Sequence, residues 1–170
     1  RATVFMGVPT YYTRLLAEPG FDREACRNMR LFTCGSAPLL PQTFHEFSER
    51  TGHSILERYG MTETGMNTSN PLDGERRPGT VGPPLPGVQV RIVDNQDHYL
   101  PAGETGQLLV KGANVFKGYW RLPEKTAEEF TNDGFFRTGD LARRDADGYV
   151  SIVGRAKDLI ISGGFNIYPK

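Results

Sequence analysis

An α/β fold with an appended β-rich subdomain is predicted by three features of the sequence. Strand and helix patterns alternate along residues 1–77, which is typical of a mostly parallel sheet covered by helices. From residue 78 onward, short alternating apolar runs are separated by Gly, Pro, Asp and Asn, and this pattern indicates antiparallel strands joined by turns. The chain has 170 residues and 38% hydrophobic content, which is enough to bury a core.

The elements of the first part follow from local patterns. A β-branched, apolar run at residues 3–8 predicts a strand, and Pro9 suits the first turn of the helix that follows it. We expect residues 67–71 to form a connecting loop into the second part. Apolar runs predict a strand at 29–34 and another at 53–59. Between them, helical spacing and a final glycine predict a helix at 41–52 that ends at Gly52.

The β-rich part, residues 78–157, is predicted from alternation and turn residues. Polar Gln89 and Arg91 alternate with apolar neighbours, which indicates a half-buried strand. An Asp-Gly pair at 147–148 predicts the turn of a hairpin. A short helix is expected at 123–130, because that segment opens with a proline.

Charge and cysteine content argue against several classes of function. Twenty basic and twenty acidic residues balance, so no overall field would recruit nucleic acid. No apolar run reaches the roughly 20 residues that span a bilayer, and residues 1–10 lack the pattern of a signal peptide; we therefore expect no membrane span and a cytoplasmic location. Cys26, Cys34 and the three histidines have no familiar metal-site spacing, so neither a disulfide nor a zinc site is expected. Nothing in the sequence predicts an oligomeric state.

Residues 59–64, YGMTET, come at the end of the third predicted strand and carry groups that suit a nucleotide. Gly60 can adopt conformations closed to other residues, and Tyr59 offers a ring face to a purine. Thr62 can donate to a phosphate oxygen, and Glu63 can ligate Mg²⁺. The alternative is that the polar residues cap the next segment while Tyr59 fills the core.

A second polar segment, CGSAPL at residues 34–39, also follows a predicted strand. Its small residues Gly35, Ser36 and Ala37 would let a ligand approach the backbone, or they simply form a tight turn. Because loops at the carboxyl ends of neighbouring parallel strands meet at one crevice, this segment and YGMTET should face one ligand.

The third polar segment, RTGDLARR at residues 137–144, is likewise expected to follow a strand. Asp140 could accept two hydrogen bonds from a ribose diol, although Gly-Asp is also ordinary turn chemistry. Further on, the guanidinium of Arg155 is always charged and has several donors, which suits a phosphate or ribose ligand. The alternative is that Arg155 lies on a solvated face of a strand.

Six motifs resemble, in order and along nearly the whole chain, the core motifs of the adenylate-forming enzymes. That superfamily includes acyl-CoA synthetases, peptide-synthetase adenylation domains and luciferases. Within it, the segments MGVPTYYTRLL, ERYGMTETGMNTSNP and VFKGYWRLPEKT are most similar to malonyl-CoA synthetases. The six motifs are GSAPL, ERYGMTET, PGTVGPPLPGV, GETGQLLVKG, GYW and DGFFRTGDLARRDADGYVSIVGRAKDLIISGGFNIYP.

The resemblance implies a ligase that uses ATP, Mg²⁺ and coenzyme A. A carboxylate attacks the α-phosphate of ATP to give an acyl adenylate, and the coenzyme A thiol then attacks the acyl carbon. By position, the catalytic residues are Thr62, which contacts phosphate, and Glu63, which holds Mg²⁺. Tyr59 is expected to stack on adenine, Asp140 and Arg155 to bind the ribose hydroxyls, and Gly35, Ser36 and Ala37 to line the nucleotide and acyl pocket.

The resemblance also implies the substrate, a small dicarboxylic acid such as malonate or methylmalonate. Its second carboxylate needs a charge-assisted partner. Arg14, with Ser36 as a second donor, is the candidate, and the alternative is that Arg14 is a solvated helix residue. A fatty-acyl or aryl-CoA ligase of the same superfamily and a non-catalytic nucleotide-binding module are the alternative functions.

The order of motifs indicates an internal fragment of a longer enzyme. Residues 158–170 correspond to the hinge and the start of a truncated small domain, with Asp158 at the hinge and Gly163 and Gly164 near the coenzyme A tunnel. The upstream phosphate loop and the adenylation lysine of the small domain are absent from the sequence. We therefore expect these 170 residues alone to have little or no synthetase activity.

Overall fold

The computed structural model describes residues 2–158, 160–162 and 165–167. Within these residues the chain forms two four-stranded sheets and one short hairpin. The predicted positions Gly163 and Gly164 lie outside the described residues. No helix of the described part is long and apolar enough to cross a membrane.

The first sheet has the strand order β1-β2-β3-β4. Its first three strands are parallel, as predicted, and β4 pairs antiparallel to β3 through a tight hairpin. Both longer helices begin with a proline, and the second ends at Gly52 in the left-handed conformation that favours glycine. The elements are β1 Val4–Gly7, α1 Pro9–Ala17, α2 Arg23–Cys26, β2 Leu31–Cys34, α3 Pro41–Thr51, β3 Leu56–Met61 and β4 Gly65–Ser69.

Helices and strands of this part enclose one apolar core. Aromatic rings dominate it, and Tyr12, Phe32 and Phe47 meet edge to face at its centre. The Tyr12 hydroxyl donates to the Thr33 carbonyl at 2.7 Å, so the phenol is buried without an unpaired donor. This packing holds the helices α1 and α3 together and against β2.

The second sheet is antiparallel with the order β5-β6-β7-β8. Its inward-facing residues form a separate aliphatic core. The predicted hairpin at 147–148 joins β7 to β8, and Gly148 has the positive φ that its turn requires. The elements are β5 Gln89–Val93, β6 Thr105–Lys111, α4 Pro123–Glu128, β7 Phe136–Arg144 and β8 Val150–Arg155, followed by a 3-10 turn Ala156–Asp158 and the hairpin strands β9 Ile160–Ser162 and β10 Phe165–Ile167.

Residues 80–85 join the two sheets through the backbone. On one side, Val81 and Gly82 exchange hydrogen bonds with Val150 of β8, at 2.8 and 3.0 Å. On the other side, the amide of Ser69 donates to the Pro83 carbonyl at 3.2 Å. Gly82 has a φ of 76°, and a Cβ there would stand 2.0 Å from the carbonyl of Ser69. The two sheets are therefore held together by a segment in which only glycine fits at residue 82.

The α/β prediction with an added β-rich part is confirmed, and two local predictions are wrong. Residues 65–69 form β4, whereas we expected a connecting loop from residue 67. Residues 137–144 belong to strand β7 rather than following a strand. Both segments bury polar side chains, among them Asn67, Thr68, Thr138 and Asp140.

Candidate nucleotide and acyl site

The hairpin between β3 and β4 presents the first candidate residues. Tyr59 and Gly60 lie in β3, and the turn closes with a bond of 3.1 Å from the Thr64 amide to the Met61 carbonyl. A Cβ on Gly60 would stand 2.0 Å from the carbonyl oxygen of Gly65, so the close approach of the two strands requires glycine. The Thr62 side chain is exposed at the tip of the turn, free to meet a ligand.

Asp140 lies at the centre of a cluster built from both sheets. The Tyr59 hydroxyl donates to its Oδ2 at 2.5 Å. Arg155, its cross-strand neighbour in β8, approaches Oδ1 with Nε at 2.9 Å. The structure thus brings together three residues from separate segments, and Asp140 is in a paired strand instead of a turn.

Burial governs the electrostatics of this cluster. It raises the pKa of Asp140, although the bond from Tyr59 and the charge of Arg155 act in the opposite direction. It also raises the pKa of Tyr59, and the negative charge of Asp140 raises that pKa further. The phenol therefore keeps its proton and acts as the donor.

Glu63 is held by the segment between β6 and α4, for which the sequence predicted no role at the site. The Tyr119 hydroxyl donates to Glu63 Oε1 at 3.3 Å, and the Phe116 amide donates to the Glu63 carbonyl at 2.7 Å. Both partners lie between β6 and α4. In the sequence, Tyr119 lies in the GYW motif, and both Phe116 and Tyr119 lie in the segment VFKGYWRLPEKT, but neither motif indicated a contact with Glu63.

A cleft of about 230 Å³ opens between β1, α1 and the β3–β4 hairpin. Gly35 and Ser36 of the second candidate loop line it together with Gly60, so the two predicted loops do meet. Ser36 has a φ of 66°, which is uncommon for a residue with a side chain. Ala37 is exposed in the same loop.

The cation that lines this cleft is Arg58, a residue that sequence reasoning missed. It precedes Tyr59 in β3, and alternation along a strand sends their side chains to opposite faces. Arg14 is exposed on α1 and forms no hydrogen bond or ion pair with the described residues. It lies one helical turn after Tyr11, which lines the cleft. Asp158 is exposed in the 3-10 turn, apart from these contacts.

Glu63 also fits the chemistry of a magnesium site shared with a phosphate ligand. No group of three or more His, Cys, Asp or Glu side chains in the described part of the chain could hold a metal by itself. Mg²⁺ commonly binds through one or two carboxylates, several waters and the phosphates of a nucleotide. A single carboxylate beside an exposed threonine hydroxyl matches that arrangement.

Comparison with known proteins gives consistent matches. The family described as AMP-binding enzyme matches residues 1–120. Malonate–CoA ligase from Arabidopsis thaliana is 47% identical over 174 residues, which cover 97% of this chain and 28% of that protein.

Two solved structures are similar over nearly the whole chain. ATP-bound MatB from Rhodopseudomonas palustris has a TM-score of 0.97 and 63% identity, covering 99% of this chain and 34% of that one. A malonyl-CoA ligase in a ternary product complex with methylmalonyl-CoA and AMP has a TM-score of 0.82 and 49% identity, covering 98% of this chain and 37% of that one. The chain therefore spans about a third of the length of the relatives it matches.

Proposed function

Because the chain belongs to the family of AMP-binding enzymes, we propose that it is part of an ATP-dependent ligase that joins malonate to coenzyme A through an acyl adenylate. Its fold matches the large domain of adenylate-forming enzymes. The observation that carries the proposal is the β3–β4 hairpin, which joins the Tyr59–Asp140–Arg155 cluster to a small cleft lined by an arginine.

The cluster suits the ribose of ATP. In the Asp140 carboxylate, Oδ2 accepts a hydrogen bond from Tyr59 and Oδ1 forms an ion pair with Arg155, and each oxygen keeps a lone pair for a ribose hydroxyl. Arg155 has further donors that the ion pair does not use. The Tyr59 ring is fixed by its own bond to Asp140, which supports the predicted contact with adenine.

The turn of the hairpin suits the phosphates. Thr62 would donate to a phosphate oxygen, and Glu63 would hold Mg²⁺ that neutralises charge on the phosphates when bound. An anionic carboxylate must approach a polyanion in the first step, so preorganised donors and fixed charge lower the barrier. The chain's own contribution is to place these groups before the substrates arrive.

The small cleft suits a short dicarboxylic acid. A volume of about 230 Å³ suits an acid of a few carbon atoms, whereas an extended acyl chain would need a longer apolar pocket. Arg58 and Ser36 would bind the second carboxylate, and burying that charge without such partners would be costly. Arg14 remains a proposed partner from the neighbouring helix α1. A fatty-acyl or aryl-CoA ligase is less favoured because its pocket would not need an arginine.

The second step, in which the coenzyme A thiol attacks the acyl carbon, is proposed from the resemblance to adenylate-forming enzymes. Asp158 would act at the hinge, and Gly163 and Gly164 would approach the coenzyme A tunnel. These 170 residues alone would have little or no synthetase activity, because the predicted phosphate loop and lysine are not among them. The parent enzyme would use ATP, Mg²⁺, coenzyme A and a dicarboxylic acid in the cytoplasm.

Substrate selectivity of the full-length enzyme tests the proposal. Arg58→Ala and Arg14→Ala should each lower kcat/KM for malonate at least about tenfold, about 1.4 kcal/mol. The same variants should spare acetate and octanoate, because neither has a second carboxylate. Arg30→Ala, an exposed arginine before β2, is the matched control. Equal losses for malonate and the monocarboxylates would show that neither arginine selects the diacid.

A further inference from the structure

Three contacts bind the segment 114–119 to the β3–β4 turn. The Phe116 amide donates to the Glu63 carbonyl at 2.7 Å. The Asn114 side-chain amide donates to the Thr64 carbonyl at 2.7 Å. The Tyr119 hydroxyl donates to the Glu63 carboxylate at 3.3 Å. The first two contacts hold the backbone of the turn, and the third reaches its only carboxylate.

The Tyr119 ring is oriented by helix α4 and its neighbours. The Tyr119 amide donates to the Thr126 hydroxyl at 2.9 Å, and that hydroxyl donates to the Leu122 carbonyl at 2.9 Å. The Phe116 ring meets the Tyr119 ring edge to face, with centroids 4.9 Å apart. On the helix side, Lys125 Nζ lies 5.3 Å from the ring centroid. These contacts leave the hydroxyl aimed at Glu63.

We propose that Tyr119 is a positioning residue for Glu63, and that it sets the affinity of the enzyme–ATP complex for its divalent cation. This inference rests on the proposed function, in which Glu63 holds Mg²⁺. The contact involves Oε1 and leaves Oε2 without a donor among the described residues, so one oxygen is anchored while the other can face the cation. A hydroxyl anchors a carboxylate without neutralising its charge.

The benefit of the anchor follows from the demands of the metal. Mg²⁺ requires near-octahedral geometry at short distances. A glutamate side chain that rotates freely loses conformational entropy when it binds, and a side chain already held in place loses less. A phenol is protonated at neutral pH, so the hydroxyl can keep donating to the carboxylate.

Tyr119→Phe in the full-length enzyme isolates the hydroxyl, because phenylalanine preserves the ring contacts with Phe116 and Lys125. We expect Mn²⁺ to bind the variant's ATP complex about fivefold more weakly, measured by electron paramagnetic resonance of free Mn²⁺. The Mg²⁺ concentration for half-maximal pyrophosphate release should rise by a similar factor. ATP affinity without metal and the Tm of the ligand-free enzyme should not change.

Tyr99→Phe is the matched control, since Tyr99 is exposed and its hydroxyl contacts Arg144 on the second sheet. Unchanged Mn²⁺ affinity in Tyr119→Phe would overturn the inference. An equal loss of metal-free ATP affinity and of Tm would also overturn it, because that result would indicate a purely structural role.

Glu63→Gln separates this inference from the proposed function. If Glu63→Gln weakens Mn²⁺ binding and Tyr119→Phe does not, the positioning role alone is wrong. If Glu63→Gln leaves Mn²⁺ binding unchanged, the metal role of Glu63 in the proposed function is wrong. In the double variant, loss of the tyrosine hydroxyl should add nothing to the effect of Glu63→Gln, because the hydroxyl acts through the carboxylate.

Discussion

The two sheets carry their candidate ligand-binding residues in different ways. In the first sheet, Ser36, Thr62 and Glu63 lie on loops and turns beyond strand ends, where small residues let a ligand approach the backbone. In the second sheet, Asp140 and Arg155 lie within paired strands, and each is the other's cross-strand neighbour. The first sheet thus supplies contacts from loops held by neighbouring segments, and the second supplies charges positioned by strand register.

This contrast matters because the proposed site needs both sheets at once. Tyr59 comes from the first sheet and Asp140 from the second, and they are joined by a hydrogen bond of 2.5 Å. Any change that shifts one sheet against the other would separate the nucleotide contacts. The largest expected effect is therefore at the segment 80–85, which joins them.

Gly82→Ala should lower the free energy of unfolding of the full-length enzyme by about 3 kcal/mol or more. The added Cβ would collide with the Ser69 backbone in a residue that already has positive φ. Gly87→Ala is the control, because Gly87 has a φ of 82° but open space around its Cβ position. We expect the control to lose only about 1 kcal/mol, from backbone strain alone. Equal losses in urea unfolding would show that the contact with Ser69 does not matter.

Glu57 of the first sheet should make stability depend on pH. Burial raises its pKa to about 7, and no arginine or lysine among the described residues forms an ion pair with it. Its Oε1 accepts a bond of 3.2 Å from the Gly79 amide. Because the folded state binds the proton more tightly than the unfolded state, Glu57 contributes stability that is full at low pH and is lost as pH rises through about 7.

The measurement is Tm between pH 5 and pH 8 for the wild type and Glu57→Gln. Across this range the free energy of unfolding of the wild type should fall by on the order of 2 kcal/mol because of Glu57. The glutamine variant should show a flatter profile, since its side-chain oxygen can still accept from Gly79 and carries no charge. Glu46→Gln, at an exposed position on α3, should follow the wild type. If the Tm of Glu57→Gln changed with pH as steeply as that of the wild type, a group other than Glu57 would cause the pH dependence.

Asp140→Asn should weaken ATP binding with a smaller effect on stability. The substitution keeps the shape of the side chain and an oxygen that can accept from Tyr59, but it removes the charge that pairs with Arg155. We expect KM for ATP to rise about tenfold while KM for malonate stays within about twofold. Asp133→Asn, in an exposed pair with Arg91, is the control. A larger change in KM for malonate would place Asp140 in the acid site.

The sequence predicted the parallel sheet well because short apolar runs alternate with two helices that are long enough for periodicity to be informative. It missed β4 because polar residues are buried in that strand and directly after it: Asn67 and Thr68 of β4 and the following Asn70 are all at most 2% exposed. Hydrogen bonds satisfy their amides, for example from Asn67 to the Thr64 hydroxyl at 2.8 Å. An apolar–polar pattern cannot reveal a strand whose inward side chains are polar.

The individual candidates for the nucleotide site were named from the sequence, but their geometry was not. Asp140 follows Gly139 and so has the signature of a turn, although both residues lie in a strand with a register shift nearby. The register that places Asp140 opposite Arg155 depends on pairing between strands, which local patterns do not encode. Arg58 was not predicted as a site residue because the functional interpretation of this strand rested on Tyr59. The side chains of the two neighbours lie on opposite faces of the strand.

The backbone bonds of residues 80–85 also define where this protein can be recombined. Val81 and Gly82 pair with β8, whereas Pro83 and Leu85 pair with residues of β4. A chimera whose crossover falls inside this segment would join pairing partners from different parents. Exchange of the second sheet between homologues is thus best designed with residues 80–85 and both of their partner strands inherited from a single parent.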